Sequence, residues 1–196
     1  MKFTETKLKG AYIIELERLE DERGYFARAW CQREFLNNGL DAALVQCNVS
    51  YNPKRGTVRG MHYQDPPYAE TKLVRCTRGA IYDVIVDLRP DSQTFLQWTA
   101  SELTPDNGKM MYVPKGFAHG FQTLEAHSMV FYQVSEFYAP EHCRGVRWND
   151  PQLNISWPHE VGVISPQDQR WGDLSVARLA PLKNLSGNSQ TSHQVK

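Results

Sequence analysis

The chain has 196 residues, enough for one domain with a real core and tight for two. Lysine plus arginine and aspartate plus glutamate both number 22, so the net charge is zero. A neutral chain has no global pull toward nucleic acid or an anionic membrane, and anion recognition must come from a local basic site.

Lys2, Glu5, Lys7, Lys9 and Glu15 break up the start of the chain, so neither a signal peptide nor a transmembrane helix is expected. The next segment, 12–16, reads as a strand. "EDERGYF" (20–26) is a charged turn into a short extended piece, and "QREFLNNG" (32–39) is a short helix ended by a capping glycine. Alternating strands follow at 44–52, 57–64, 72–77, 80–88, 98–103, 110–113, 120–124 and 128–136, with a further one at 144–148. Turn signals such as "DPPY", "PDSQ", "TPDNG" and "PKG" separate them at intervals of roughly ten residues, which favours an all-β sandwich, jelly roll or barrel. The domain is expected over 1–182, with 183–196 a polar tail lacking aromatics and expected to be disordered. Cys31, Cys47, Cys76 and Cys143 form no CxxC pair and read as free thiols in a reducing cytoplasm.

Chemistry concentrates in a few places. In "TVRGMHYQ", alternation puts Val58, Gly60 and His62 on one face and Arg59, Met61 and Tyr63 on the other. A lone strand histidine is more often a hydrogen-bonded structural residue than a catalyst. Lys72 shifts that balance if it faces the same interior, because a buried ammonium needs an anion beside it. "VPKGFAHGF" matches the second half-motif of cupin jelly rolls and directs His119 into the barrel. The first half-motif would offer two histidines, but the chain has His62-Tyr63-Gln64, a poor start for a transition-metal site. No metal is expected. Tyr132 is either a core phenol or a proton donor. Arg23 and Arg59 each precede a glycine, where an arginine either lies on the solvated surface or forks to a phosphate. No P-loop or GxGxxG is present.

Taken in order, "RGYF", "QCNVSYNPKRGTVRGMHYQ", "TKLVRCTRGAIYDVIVDLR", "SQTFLQW", "VPKGFAHGF", "FYQVSEFY" and "WNDPQLNISWP" resemble the dTDP-4-dehydrorhamnose 3,5-epimerase family over roughly 10–171. The resemblance implies a cupin jelly roll, a nucleotide-diphosphate-linked 4-keto-6-deoxyhexose as substrate, no cofactor, and a homodimer joined through N-terminal strands. It implies His62 as the base, Asp168 as the carboxylate orienting it, Tyr132 as the acid on the opposite face, and Lys72 at the ketone oxygen with His119 beside it. Arg23 and Arg59 match diphosphate clamps, Gln46 and Asn48 polar contacts in the cleft, and Phe26 and Tyr138 aromatics near the base and diphosphate. A 3,4-ketoisomerase and a non-catalytic sugar-nucleotide-binding cupin are the alternative readings; a metal-dependent dioxygenase would carry iron. One departure stands out: where the family usually has glutamate, "EHCRG" places Cys143 followed by Arg144. The base, the sugar and the choice of carbon 3, carbon 5 or both are left open.

Overall fold

The structure, a computed structural model, describes residues 1–185. Two sheets face each other. The first runs in the order β1 (Lys2–Glu5), β2 (Tyr12–Glu15), β10 (Lys109–Val113), β7 (Lys72–Arg78), β12 (Ser128–Val134) and β5 (Gln46–Asn52). The second runs β13 (Cys143–Gly145), β6 (Thr57–Gln64), β11 (Phe117–Thr123), β8 (Ile81–Asp87) and β9 (Trp98–Leu103), and β14 (Val163–Ile164) adds to β6 in parallel. A hairpin of β3 (Leu19–Asp21) and β4 (Gly24–Phe26) stands apart. This is the expected all-β, cupin-like architecture.

Strand period fixes three apolar layers. Val74, Cys76, Met111, Val113 and Val130 of the first sheet meet Ile81, Ile85, Phe117 and Phe121 of the second in the space between them. The other face of the first sheet buries Leu73, Met110 and Tyr112 against Phe35 of α1 (Gln32–Asn37). The other face of the second buries Met61, Tyr63, Val84 and Val86 under the returning C-terminal segment, with Leu153, Leu174, Leu179 and Leu182. β8 therefore buries apolar side chains on both sides, and each of these contributes roughly 1.5–3 kcal/mol on burial.

Several elements differ from the sequence expectation. The helix stops at Asn37, and Gly39 takes the left-handed conformation (φ 71°) that ends it. The strand expected at 144–148 is the shorter Cys143–Gly145. β1 was not expected, because its charged sequence KFTE lacks an apolar stripe; pairing with β2 through Phe3↔Ile14 and Thr4↔Ile13 forms it. Of the expected tail, 183–185 form a turn with Leu185 packed on the second-sheet cluster, and the remainder lies outside the described residues.

The largest correction concerns β6. His119 pairs with His62, but Phe121 pairs with Arg59, so the single Gly120 on β11 opposes both Gly60 and Met61 on β6. This irregularity inserts one residue and reverses the expected alternation. Arg59 joins His62 on the face toward the other sheet, while Met61 and Tyr63 stay on the outer face. Two glycines permit it. A Cβ on Gly60 (φ +117°) would sit 2.6 Å from Gly120 Cα, and one on Gly120 would sit 2.6 Å from Met61 Sδ and 2.7 Å from the Arg59 carbonyl oxygen.

Candidate active site

His62 lies on the inward face of the second sheet. Its Nε2 is 2.6 Å from Asp168 Oδ1. Asp168 is delivered from far along the chain: β14 docks beside β6, Ser165 caps the short helix α2 (Pro166–Gln169), and the Ser165 hydroxyl accepts from the Asp168 N–H at 3.0 Å. The second carboxylate oxygen accepts from the Gly60 N–H at 3.2 Å. Burial alone would raise this carboxyl, but the bond and charge of His62, with the Gly60 and Ser165 contacts, outweigh it and hold the Asp168 pKa below its ordinary value. Asp168 is therefore an ionised acceptor across the neutral range, and it directs the proton of a neutral His62 onto Nε2. Beside His62, the Trp171 ring packs over Gly145, its register neighbour, and meets the imidazole edge-on at 6.4 Å between centroids.

A second histidine–carboxylate pair sits next to the first. His119 Nε2 is 2.7 Å from Asp83 Oδ1 on the neighbouring strand β8, and both are buried. Sequence reading did not single out Asp83. The available signal was a carboxylate at an inward position of "IYDVIVD", which needs a buried partner. Among the described residues, no group of three or more His, Cys, Asp and Glu side chains is placed to hold a metal ion.

The first sheet supplies the facing groups. Tyr132 pairs with Asn48 on one side and Val74 on the other, and packs against the inter-sheet core. Two residues along, Lys72 and Gln46 flank Val134 in the same inward row. His62 and Tyr132 therefore approach the gap from opposite sheets. Arg59 crosses it, with its Nε donating to Asn52 Oδ1 at 2.7 Å. Gln46 Oε1 accepts from the Tyr138 N–H at 2.7 Å, fixing the loop after β12. Lys72 Nζ lies 3.1 Å from Glu70 Oε1, a carboxylate absent from the sequence expectation.

Arg23 and Phe26 are not brought to this site within one chain. Both lie on the β3–β4 hairpin; Arg23 pairs with Asp21, and Phe26 is 70% exposed. At the point of departure, Cys143 lies half-buried next to Tyr138, Lys72 and Glu70, and burial raises its thiol pKa. The added cation is neutralised locally. Arg144 Nε pairs with Asp65 Oδ2 at 2.7 Å, and its Nη1 donates to the carbonyls of Glu141 and Cys143.

Comparison with known proteins identifies the family. The family model described as dTDP-4-dehydrorhamnose 3,5-epimerase matches residues 5–175. The chain belongs to the dTDP-4-dehydrorhamnose 3,5-epimerase family. A member from Sinorhizobium fredii is 44% identical over 169 residues, covering 86% of this chain and 87% of that one. The crystal structure of the Bacillus anthracis dTDP-4-dehydrorhamnose 3,5-epimerase, with TDP and pyrophosphate bound, superposes with a TM-score of 0.85 at 44% identity, covering 88% of this chain and 99% of that chain. The Legionella pneumophila enzyme in complex with dTDP-4-keto-L-rhamnose matches at 35% identity and a TM-score of 0.85, covering 91% and 96%. Membership in the dTDP-4-dehydrorhamnose 3,5-epimerase family makes this an isomerase-class chain. It favours the epimerase over the ketoisomerase and the non-catalytic binder. Among the described residues, no helix is long and apolar enough to cross a membrane.

Proposed function

We propose that this chain inverts carbon 3, carbon 5 or both of a nucleotide-diphosphate-linked 4-keto-6-deoxyhexose, without a cofactor, with thymidine as the preferred base. The reading is supported above all by the His62–Asp168 pair on one sheet facing Tyr132 on the other. With Nε2 committed to Asp168, Nδ1 of His62 is the nitrogen that takes the proton from the carbon next to the ketone. The carbon–hydrogen electron pair moves into an enolate, and the negative charge collects on the ketone oxygen. Lys72 stabilises that oxygen, and a fixed cation helps most as the charge develops. His119, held by Asp83, lies beside the same oxygen. Tyr132 then donates its proton to the opposite face of the carbon, and solvent restores both groups. A single base could return a proton only to the face it came from, so inversion needs the second group. Each well-placed acid or base is worth about 10²–10⁴-fold.

The diphosphate is held by Arg59, and by Arg23 reaching across from a second copy. Gln46, Asn48, Phe26 and Tyr138 line the nucleotide and sugar. The active form is a homodimer. The exposed Leu19, Tyr25 and Phe26 of the hairpin, with Val49 and Tyr51 on the outer face of β5, are apolar groups that a second copy covers. Four free thiols fit a cytoplasmic setting. Because Asp65 neutralises Arg144, the added cation gives no reason to abandon the thymidine nucleotide. Solvent deuterium incorporation at carbons 3 and 5, followed by NMR, tests the reaction directly. His62→Ala abolishes incorporation on this reading; undiminished exchange in that variant would remove the base assignment. Calorimetry against thymidine, cytidine, guanosine and uridine diphosphates ranks the base, and a monomer at micromolar concentration would count against the dimer.

A further inference from the structure

The Glu70 carboxylate beside Lys72 has no part in the chemistry described so far. Glu70 and Lys72 side chains are only 11% and 12% exposed, with Oε1 to Nζ at 3.1 Å. The other oxygen, Oε2, accepts from Gln64 Nε2 at 3.1 Å. The same Gln64 nitrogen reaches the carbonyls of Tyr68 at 2.9 Å and Phe137 at 3.2 Å, and its Oε1 accepts from the Ala139 N–H at 2.7 Å. Gln64 is therefore a buried junction between β6, the approach to β7 and the loop carrying Tyr138. Glu70 connects that junction to Lys72. A lysine ammonium on four methylenes has several rotamers, and a flexible cation pays ordering entropy each time it meets a developing charge. A carboxylate that is itself fixed at its second oxygen removes that freedom before the reaction begins.

We propose that Glu70 is a positioning residue for the reaction: with Gln64 it holds the Lys72 ammonium at one place in the pocket and locks it in register with the 137–139 loop. The inference rests on the reading of Lys72 as the cation at the ketone oxygen. Glu70 accepts at both oxygens, toward the ammonium and toward the Gln64 amide. A glutamine in its place can accept at only one, so Glu70→Gln must give up either the lysine or the junction. Misplacing a catalytic group by about 1 Å costs on the order of 100-fold.

The test is a double-mutant cycle on the purified full chain, read as kcat, KM and deuterium incorporation with a dTDP-linked 4-keto-6-deoxyhexose. Glu70→Gln lowers kcat about 10- to 100-fold, with KM within about threefold and the thermal midpoint close to that of the parent chain. Glu70→Ala, which removes both acceptors, loses at least as much. Lys72→Met loses activity by itself, and adding Glu70→Gln to it costs nothing further, since the two act as one unit. Glu70→Gln with kcat within twofold of the parent, while Lys72→Met is inactive, overturns the positioning role alone. An equal fold loss from Glu70→Gln with and without Lys72 overturns it too, because Glu70 then acts through something else. Parental kcat in Lys72→Met overturns the underlying reading of Lys72, and the positioning role with it.

Discussion

Replacing Asp168 by asparagine isolates the electrostatic half of the His62–Asp168 pair. The two carboxylate oxygens have different partners: Oδ1 accepts from His62 and Oδ2 from the Gly60 N–H. The backbone donor cannot change its role, so an asparagine turns its carbonyl oxygen toward Gly60 and its NH2 toward His62. The imidazole must then accept at Nε2 and carry its proton on Nδ1, the nitrogen that needs a free lone pair to take the substrate proton. Two losses follow from an isosteric change: the base has the wrong tautomer, and the imidazolium formed during the reaction lacks its counter-charge. In a well-studied histidine–aspartate pair the same exchange costs about 10⁴-fold, and a misdirected general base alone costs about 10²–10⁴-fold. Asp168→Asn should therefore lower kcat by about 10²–10⁴, or roughly 3–5 kcal/mol of transition-state stabilisation. Deuterium incorporation by NMR checks this, with circular dichroism confirming that the variant is folded. A folded Asp168→Asn protein exchanging within threefold of the parent rate would refute the tautomer argument.

Tyr132→Phe should separate the two half-reactions. Incorporation of solvent deuterium persists through His62, while inverted product falls by about 10²–10⁴-fold; equal loss of both would mean that Tyr132 is not a one-sided donor. Gly145→Ala should displace the Trp171 ring from beside His62, since the new Cβ would clash with Trp171 Cε2. Overpacking of this kind costs about 1–3 kcal/mol, and both the thermal midpoint and turnover are expected to drop. Acid stability follows from Asp168 and Asp87. Burial pushes the Asp87 carboxyl up, but hydrogen bonds from Arg89, Ser92 and Thr94 outweigh it, so both aspartates have depressed pKa values in the folded state. The unfolded chain then binds more protons than the folded one below about pH 4, and stability rises with pH across that window. Their contribution is intact above it and is lost as the pH falls through the folded values. Urea midpoints between pH 2 and 6 should fall steeply at the acid end, and less steeply in Asp87→Asn.

Most of the strands and the resemblance were legible because each rests on local pattern: alternation, turn residues and short motifs. The face of Arg59 was not, because alternation assumes an unbroken ladder. What breaks it is contact between two glycines on neighbouring strands, Gly60 and Gly120, and a pairing at that distance has no signature within "TVRGMHYQ". Asp168 came from resemblance alone. It is 106 positions from His62, in a segment with no apolar period, and it reaches the site through a two-residue strand and one turn of helix.

The same reasoning accounts for Asp83 and Glu70, the two carboxylates that pattern reading passed over. One sits inside an apolar strand and one in a loop. Each acquires meaning only from the cation or imidazole that the fold sets against it. Asp83 pairs across the sheet with Phe121, one diagonal from His119, so β11 and β8 must be zipped in this register before its carboxylate meets the ring. Glu70 precedes β7, pairs with Lys72 through Oε1 and, through Oε2, ties the approach of that strand to Gln64 of β6. Groups that touch substrate can be recognised by type and spacing. Groups that hold them in place depend on register between strands, and register is settled by the whole sheet.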